Sequence, residues 1–171
     1  MFTNQRFDGW KLKPSTLAGL QELGWENATQ VQRDTVPIAL SGNDVIGQAR
    51  TGSGKTGAFG IPIIESCQPT GKLQALILAP TRELANQVSE EMTAIQGDSG
   101  LVIATVYGGT DIEKQARKLS DGVDVIVGTP GRVMDMTKRK FIDLSSPKIF
   151  CLDEADSCLL YTSPSPRDTR E

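Results

Sequence analysis

The chain has 171 residues, a net charge of −3 and no histidine. That length suits one domain with a real core, and 38% hydrophobic with 23% charged residues describes an ordinary soluble protein. Without histidine, zinc chemistry and histidine-based triads drop out; the acidic balance argues against binding nucleic acid by bulk charge, and no apolar run nears the ~20 residues of a membrane span.

Cys67, Cys151 and Cys158 have neither metal-ligand nor disulfide-framework spacing. The start, Met1 to Arg6, lacks the charged-then-apolar pattern of a signal peptide. The expectation is an intracellular, reduced, monomeric protein with no membrane partner, in cytoplasm or nucleus.

Residues 1–13 carry Phe2, Phe7 and Trp10 without periodicity and read as an extended lead whose aromatics need a place to pack. Pro14 opens a helix in which Leu17, Leu20 and Leu23 recur at helical spacing, with Gly24 just past its end. Thr29 is a candidate cap for a second short helix through Val31 and Thr35, which Pro37 should kink or end. Ser41-Gly42-Asn43 is a turn.

From residue 44 strands and helices alternate. Strands are expected at 44–47, 74–79, 101–107, 123–128 and 148–153. Between them, Leu84, Val88, Met92 and Ile95 form one helical stripe, and Ile112, Ala116 and Leu119 another. Thr110 with Glu113 reads as a capping box, and Thr129 as a cap with Pro130 in the first helical position. Pro62 should kink the helix that follows residue 56. Lys138-Arg139-Lys140 is a solvated helix end favoured by the macrodipole. Together these elements predict an α/β fold: a mostly parallel sheet of about five strands, covered by helices on both faces.

Ala49-Arg50-Thr51-Gly52-Ser53-Gly54-Lys55-Thr56 joins a strand to a helix and has the Walker A pattern, with Ala49 at the usual first glycine. Gly52 and Gly54 let successive amides curl around an anion. The helix start adds its positive end. Lys55 would reach the outer phosphates, and the Thr56 hydroxyl would bind magnesium.

Right-handed crossovers would put every strand's carboxyl end on one edge, where ligands bind. The loop at 49–56, Ala79 to Glu83, Gly108 to Thr110, Gly128 to Arg132 and Asp153 to Asp156 all fall there. Arg82 and Arg132 each sit beside a helix start on that edge, a place that suits phosphate. With one site taken by the nucleotide, these could track a polymer backbone. Asp153, at the end of an apolar strand, can hold magnesium through water, and Glu154 can orient and deprotonate an attacking water.

Asp153-Glu154-Ala155-Asp156 spells the tetrapeptide of the DEAD-box ATP-dependent RNA helicases, and the chain resembles that family in order. Ala49 to Thr56 resembles its Walker A motif, Pro80-Thr81-Arg82-Glu83-Leu84-Ala85 its motif Ia, Gly108-Gly109 its double glycine and Thr129-Pro130-Gly131-Arg132 its motif Ib. Gly24 to Gln32 is similar to the Q motif, with Ala28 for the usual proline and Val31 for the usual isoleucine, and Phe7 lies at the spacing of its upstream aromatic.

The resemblance implies a RecA-like P-loop NTPase lobe: residues 1–43 form a Q-motif lead with short helices, and 44–156 an ATP-binding core incomplete at its C-terminus. It implies ATP and Mg2+ as cofactors. Gln32 would read the adenine edge and Phe7 would stack on the base. Thr51, Gly52, Ser53, Gly54, Lys55 and Thr56 would hold the phosphates, with Thr56 and Asp153 on the metal and Glu154 as general base beside Lys55 and Asp153. Asp156 would link the nucleotide site to the rest of the machine. Pro80, Thr81, Arg82, Gly109, Thr129, Gly131 and Arg132 would contact an RNA sugar-phosphate backbone without sequence preference.

After Asp156 the resemblance stops. Residues 157–171 are rich in Ser, Thr, Pro and Arg and are expected to be disordered, from a lost reading frame or a foreign join. In the family a second RecA-like lobe supplies arginines to the transferring phosphate, so this chain alone is expected to hydrolyse ATP barely and unwind nothing. The alternatives are a natural truncation that binds RNA or a partner without turnover, and a P-loop NTPase acting on DNA.

Overall fold

The computed structural model describes residues 2–42, 45–48, 54–154 and 157–162. The lead segment is not simply extended. Phe2–Arg6 forms strand β1, and it pairs antiparallel with β2, Asn27–Thr29. Between them lies α1, Pro14–Glu22, with Pro14 in the first turn, where its missing N–H costs nothing. Gly24, at φ +76°, lets the chain turn back, and the Gly24 and Trp25 amides bond the Gln21 and Leu20 carbonyls. Helix α2, Gln30–Leu40, opens on a capping box: Thr29 Oγ1 accepts from the Gln32 amide and Gln32 Oε1 accepts from the Thr29 amide.

Pro37 does not end α2, which runs on to Leu40, and Pro62 likewise lies inside α3, Lys55–Ser66. Each proline forfeits one backbone bond. In α3, residues Gly57 to Ile64 are all buried, so packing holds the helix where propensity does not.

The core strands are β3 (Val45–Gln48), β4 (Ala75–Leu78), β5 (Ile103–Val106), β6 (Val125–Gly128), β7 (Ile149–Glu154) and β8 (Ser157–Thr162). They form one sheet in the order β3-β8-β7-β4-β6-β5. β7, β4, β6 and β5 run parallel to one another. The remaining helices are α4 (Arg82–Gln96), α5 (Ile112–Ser120) and α6 (Pro130–Lys138).

Alternation along the strands sorts the core into two layers. Ala75, Ile77, Val125 and Val127 face a cluster with Ala58, Ile61 and Ile64 of α3 and Ala85, Val88, Met92 and Ile95 of α4. Leu76 and Ile126 point the other way, to Leu119, Val133 and Met136 of α5 and α6. Each fully buried side chain of this size contributes about 1.5–3 kcal/mol of transfer free energy. Both faces of the sheet are therefore covered, as a parallel sheet requires.

Over residues 157–162 the structure differs from the expected disorder. Residues 157–162 form β8, which lies between β3 and β7 and runs antiparallel to both. The Ser, Pro and Arg of the last residues dominate the composition of 157–171, but its first part reads Ser157-Cys158-Leu159-Leu160-Tyr161-Thr162, a strand-compatible run. Two strand edges flank that run and satisfy its backbone groups on both sides.

Two caps also differ from expectation. Asp111 rather than Thr110 caps α5, its carboxylate accepting from the Glu113 amide at 2.9 Å. A carboxylate is the stronger acceptor, and its charge favours a helix N-terminus. Thr129 holds the cap position of α6 with Pro130 next, but its hydroxyl makes no cap bond.

At the edge opposite the strands' carboxyl ends, buried Asp124 ties three segments together. Its Oδ1 accepts from the Thr70 and Gly71 amides and from Gln74 Nε2, and its Oδ2 accepts from the Val102 amide. Among the described residues no helix is long and apolar enough to cross a membrane.

Candidate nucleotide and polymer-binding edge

The parallel register places the ends of β4, β5, β6 and β7 on one edge, together with the start of α3. Gly54 caps α3 at φ +88°. A Cβ there would lie 2.7 Å from both Thr29 Oγ1 and Gln32 Nε2, so conformation and space both require glycine. Gln32 is 2% exposed, and its Nε2 donates to the Gly54 carbonyl at 3.2 Å. The start of α2 is thereby fastened to the start of α3.

Lys55 Nζ lies 2.8 Å from Asp153 Oδ1, with side chains 10% and 6% exposed. Among the described residues Asp153 Oδ1 has no hydrogen-bond partner, and Lys55 Nζ is its ion contact. Thr56 is half-buried in the same first turn. A cavity of about 20 Å³, room for one water, has Lys55, Thr56 and Asp153 at its polar end and Phe59, Met92 and Cys151 among its apolar walls.

Farther along the edge, Pro80, Thr81 and Arg82 are exposed at the start of α4, where Thr81 Oγ1 accepts from the Leu84 amide at 3.1 Å. Gly109 and Gly131 are exposed, and Thr129 and Arg132 half-buried. The Arg82 guanidinium sits 4.6 Å from the centre of the Tyr107 ring. Arg132 donates from Nη1 to Gln115 Oε1 at 2.8 Å and from Nη2 to the Thr110 carbonyl at 3.1 Å. Gln115 and Tyr107 were not singled out from the sequence, because a mid-helix glutamine and a strand-end tyrosine carry no motif.

Gly54, Lys55, Thr56, Gln32 and Asp153 thus come together, and the residues read as backbone contacts share their edge. Phe7 does not stand open beside them. It is 3% exposed, stacked on Trp25 at 6.2 Å and edge-on to Trp10 at 5.7 Å. Trp25 in turn closes on α3: a Cβ at Gly57 would lie 2.8 Å from its ring. Thr51, Gly52, Ser53 and Asp156 lie outside the described residues. Glu154 ends β7, and its side chain also lies outside them.

Comparison with known proteins identifies the family. The family pattern described as DEAD/DEAH box helicase matches residues 29–164. The RNA helicase CrhR of Synechocystis is 49% identical over 140 residues, covering 82% of this chain and 28% of that protein. The DEAD-box ATP-dependent RNA helicase CshA of Bacillus subtilis is 45% identical over 154 residues, covering 90% of this chain and 31% of that protein. Among solved structures, a DEAD box protein from the hyperthermophile Methanococcus jannaschii superposes with a TM-score of 0.82 at 39% identity, over 88% of this chain and 41% of that one. A hypothetical ATP-dependent RNA helicase from Sulfolobus tokodaii gives 0.72 at 36% identity, over 84% of this chain and 42% of that one. The chain spans about three tenths of the length of these curated relatives.

Proposed function

The chain belongs to the DEAD/DEAH box helicase family, and from that premise we propose that it is the ATP- and RNA-binding first lobe of an RNA-dependent ATPase. The observation that carries this reading is the Lys55–Asp153 pair at the start of α3, on the same sheet edge as the starts of α4 and α6. One helix N-terminus serves the nucleotide phosphates, and the two others serve a polymer backbone.

In this reading Lys55 would give up part of its contact with Asp153 when the nucleotide binds. Lys55 would turn to the outer phosphates, which Thr51, Gly52, Ser53 and Gly54 would hold through their amides. Asp153 Oδ1, buried and without an aligned hydrogen bond, fits a hard cation or its bound water, so Thr56 and Asp153 would hold Mg2+, which supplies charge neutralisation at the phosphates. Glu154, next on the strand, orients and deprotonates water. Gln32 reads the adenine edge from the position where it already touches Gly54. Stacking by Phe7 requires its ring to come out from Trp10 and Trp25, so Phe7 enters as the support beneath the base site. Pro80, Thr81, Arg82, Gly109, Thr129, Gly131 and Arg132 take RNA phosphate and sugar, with little dependence on sequence. Turnover and unwinding draw on a second lobe outside this chain.

The test measures ATP and GTP binding by calorimetry and binding of labelled single-stranded RNA and DNA by anisotropy. ATP preference and RNA preference are expected. Equal affinity for RNA and DNA would redirect the reading to a general nucleic-acid ATPase, and Lys55→Ala with unchanged ATP affinity would remove the nucleotide assignment.

A further inference from the structure

Two segments that carry proposed backbone contacts, the loop at 107–110 and the start of α6, are joined by one side chain outside every motif. Gln115, in the first turns of α5, donates from Nε2 to the Tyr107 carbonyl at 3.1 Å and to Thr110 Oγ1 at 2.6 Å. Its Oε1 accepts from Arg132 Nη1 at 2.8 Å. Thr110 completes the ring: its hydroxyl donates to the Tyr107 carbonyl at 3.3 Å, and its carbonyl accepts from Arg132 Nη2 at 3.1 Å. Tyr107 then passes the arrangement to Arg82 through the ring contact at 4.6 Å.

We propose that Gln115 is a positioning residue for the RNA backbone, fixing Arg132 and the loop 107–110 as one preformed phosphate-binding unit. The proposal rests on the RNA-binding reading above. A carboxamide is the group that can do this. Its NH2 donates to two acceptors of the loop while its oxygen accepts from the guanidinium. It is uncharged, so it holds Arg132 without neutralising it. A carboxylate in its place would compete with phosphate for the same cation. Among the described residues two of the Arg132 N–H groups are used, and the guanidinium has further N–H groups to offer a phosphate. A free arginine loses much of its rotamer freedom on binding; here that ordering is already present in the fold.

The experiment measures binding of the full chain to fluorescein-labelled polyuridine across a salt series, for the parent protein, Gln115→Ala, Gln115→Met, Gln115→Glu, Arg132→Ala and the double variant Gln115→Ala/Arg132→Ala. Gln115→Met keeps the length and helix propensity of the side chain and removes its hydrogen bonds, so it serves should the alanine variant fold poorly. Gln115→Ala and Gln115→Met should bind about tenfold more weakly. Their salt slope should fall by about 0.7, as for loss of one phosphate contact on a single strand. The double variant should bind no more weakly than Arg132→Ala. Gln115→Glu should also lose slope, because it pairs with the arginine. A side chain that only stabilised α5 would leave the slope unchanged. Weakened Arg132→Ala with Gln115→Ala and Gln115→Met at parent affinity and slope would overturn the proposal, as would additive losses in the double variant. Arg132→Ala at parent affinity would instead overturn the RNA reading of this edge, and the proposal with it.

Discussion

Lys55 Nζ and Asp153 Oδ1 lie 2.8 Å apart, joining the first residue of α3 to the end of β7. Both side chains are nearly buried. Lys55→Ala strands the carboxylate and should cost about 3 kcal/mol in urea denaturation, in addition to its effect on ATP. A loss below about 1 kcal/mol, the range of a surface pair, would mean that water reaches Asp153 freely.

Gln32 serves two neighbours, and its variants separate them. Gln32→Glu keeps the acceptor for the Thr29 amide but loses the donor to the Gly54 carbonyl. Gln32→Ala loses both and should destabilise the chain by about 1–2 kcal/mol. Both variants should weaken ATP relative to GTP in calorimetry. Unchanged base preference in both would leave Gln32 as a structural link only.

Cys67, at the end of α3, has its thiol pushed up to about 11 from 9.0, chiefly by burial, with Asp124 adding to the rise and Lys13 opposing it. The unfolded chain loses this proton more readily than the folded one. The stabilising contribution is therefore complete below about pH 9 and is lost as pH climbs toward about 11. The loss should reach about 2 kcal/mol. Comparing urea curves of the parent and Cys67→Ala, at neutral pH and near pH 10.5, isolates it from other alkaline titrations; identical pH slopes would contradict it.

Asp124 accepts from the Thr70, Gly71 and Val102 amides and from Gln74 Nε2. Asp124→Asn turns one oxygen into an NH2 group facing a donor and removes the charge. A loss of about 3 kcal/mol is expected in denaturant unfolding, with increased amide exchange at Gly71 and Val102. A loss below about 0.5 kcal/mol would show that those loops hold without it.

Lys140 takes φ +65° just past α6, where the Phe141 amide closes on the Met136 carbonyl at 2.8 Å. Glycine adopts that conformation without a Cβ penalty. Lys140→Gly should therefore stabilise the chain by about 0.5–1 kcal/mol in the same assay, and a loss of stability would mean that the lysine stem contributes packing of its own.

Much of this molecule was legible before folding. Apolar runs alternating with helical stripes predicted strands β3 to β7, and each lies within or beside its expected span. The run ending in Asp153 and the loop reaching Lys55 were placed on one edge, because parallel strands with helical crossovers leave no other arrangement. These properties repeat along the chain at short range, so a local reading finds them.

What tertiary structure decided was long-range and depended on competition. Phe7 became a core ring because Trp25 and Trp10 close over it. Asp111 displaced Thr110 as a cap, which freed the Thr110 carbonyl and hydroxyl for Arg132 and Gln115. Residues 157–162 became a strand because two unpaired edges flanked them, a fact absent from their own composition. The sequence by itself placed the motif residues on one edge of the sheet, since spacing and period are local. Only the folded structure decided which side chains hold them in place, as with Gln32 on Gly54 and Gln115 on Arg132, because one hydrogen bond between distant residues leaves no periodic trace.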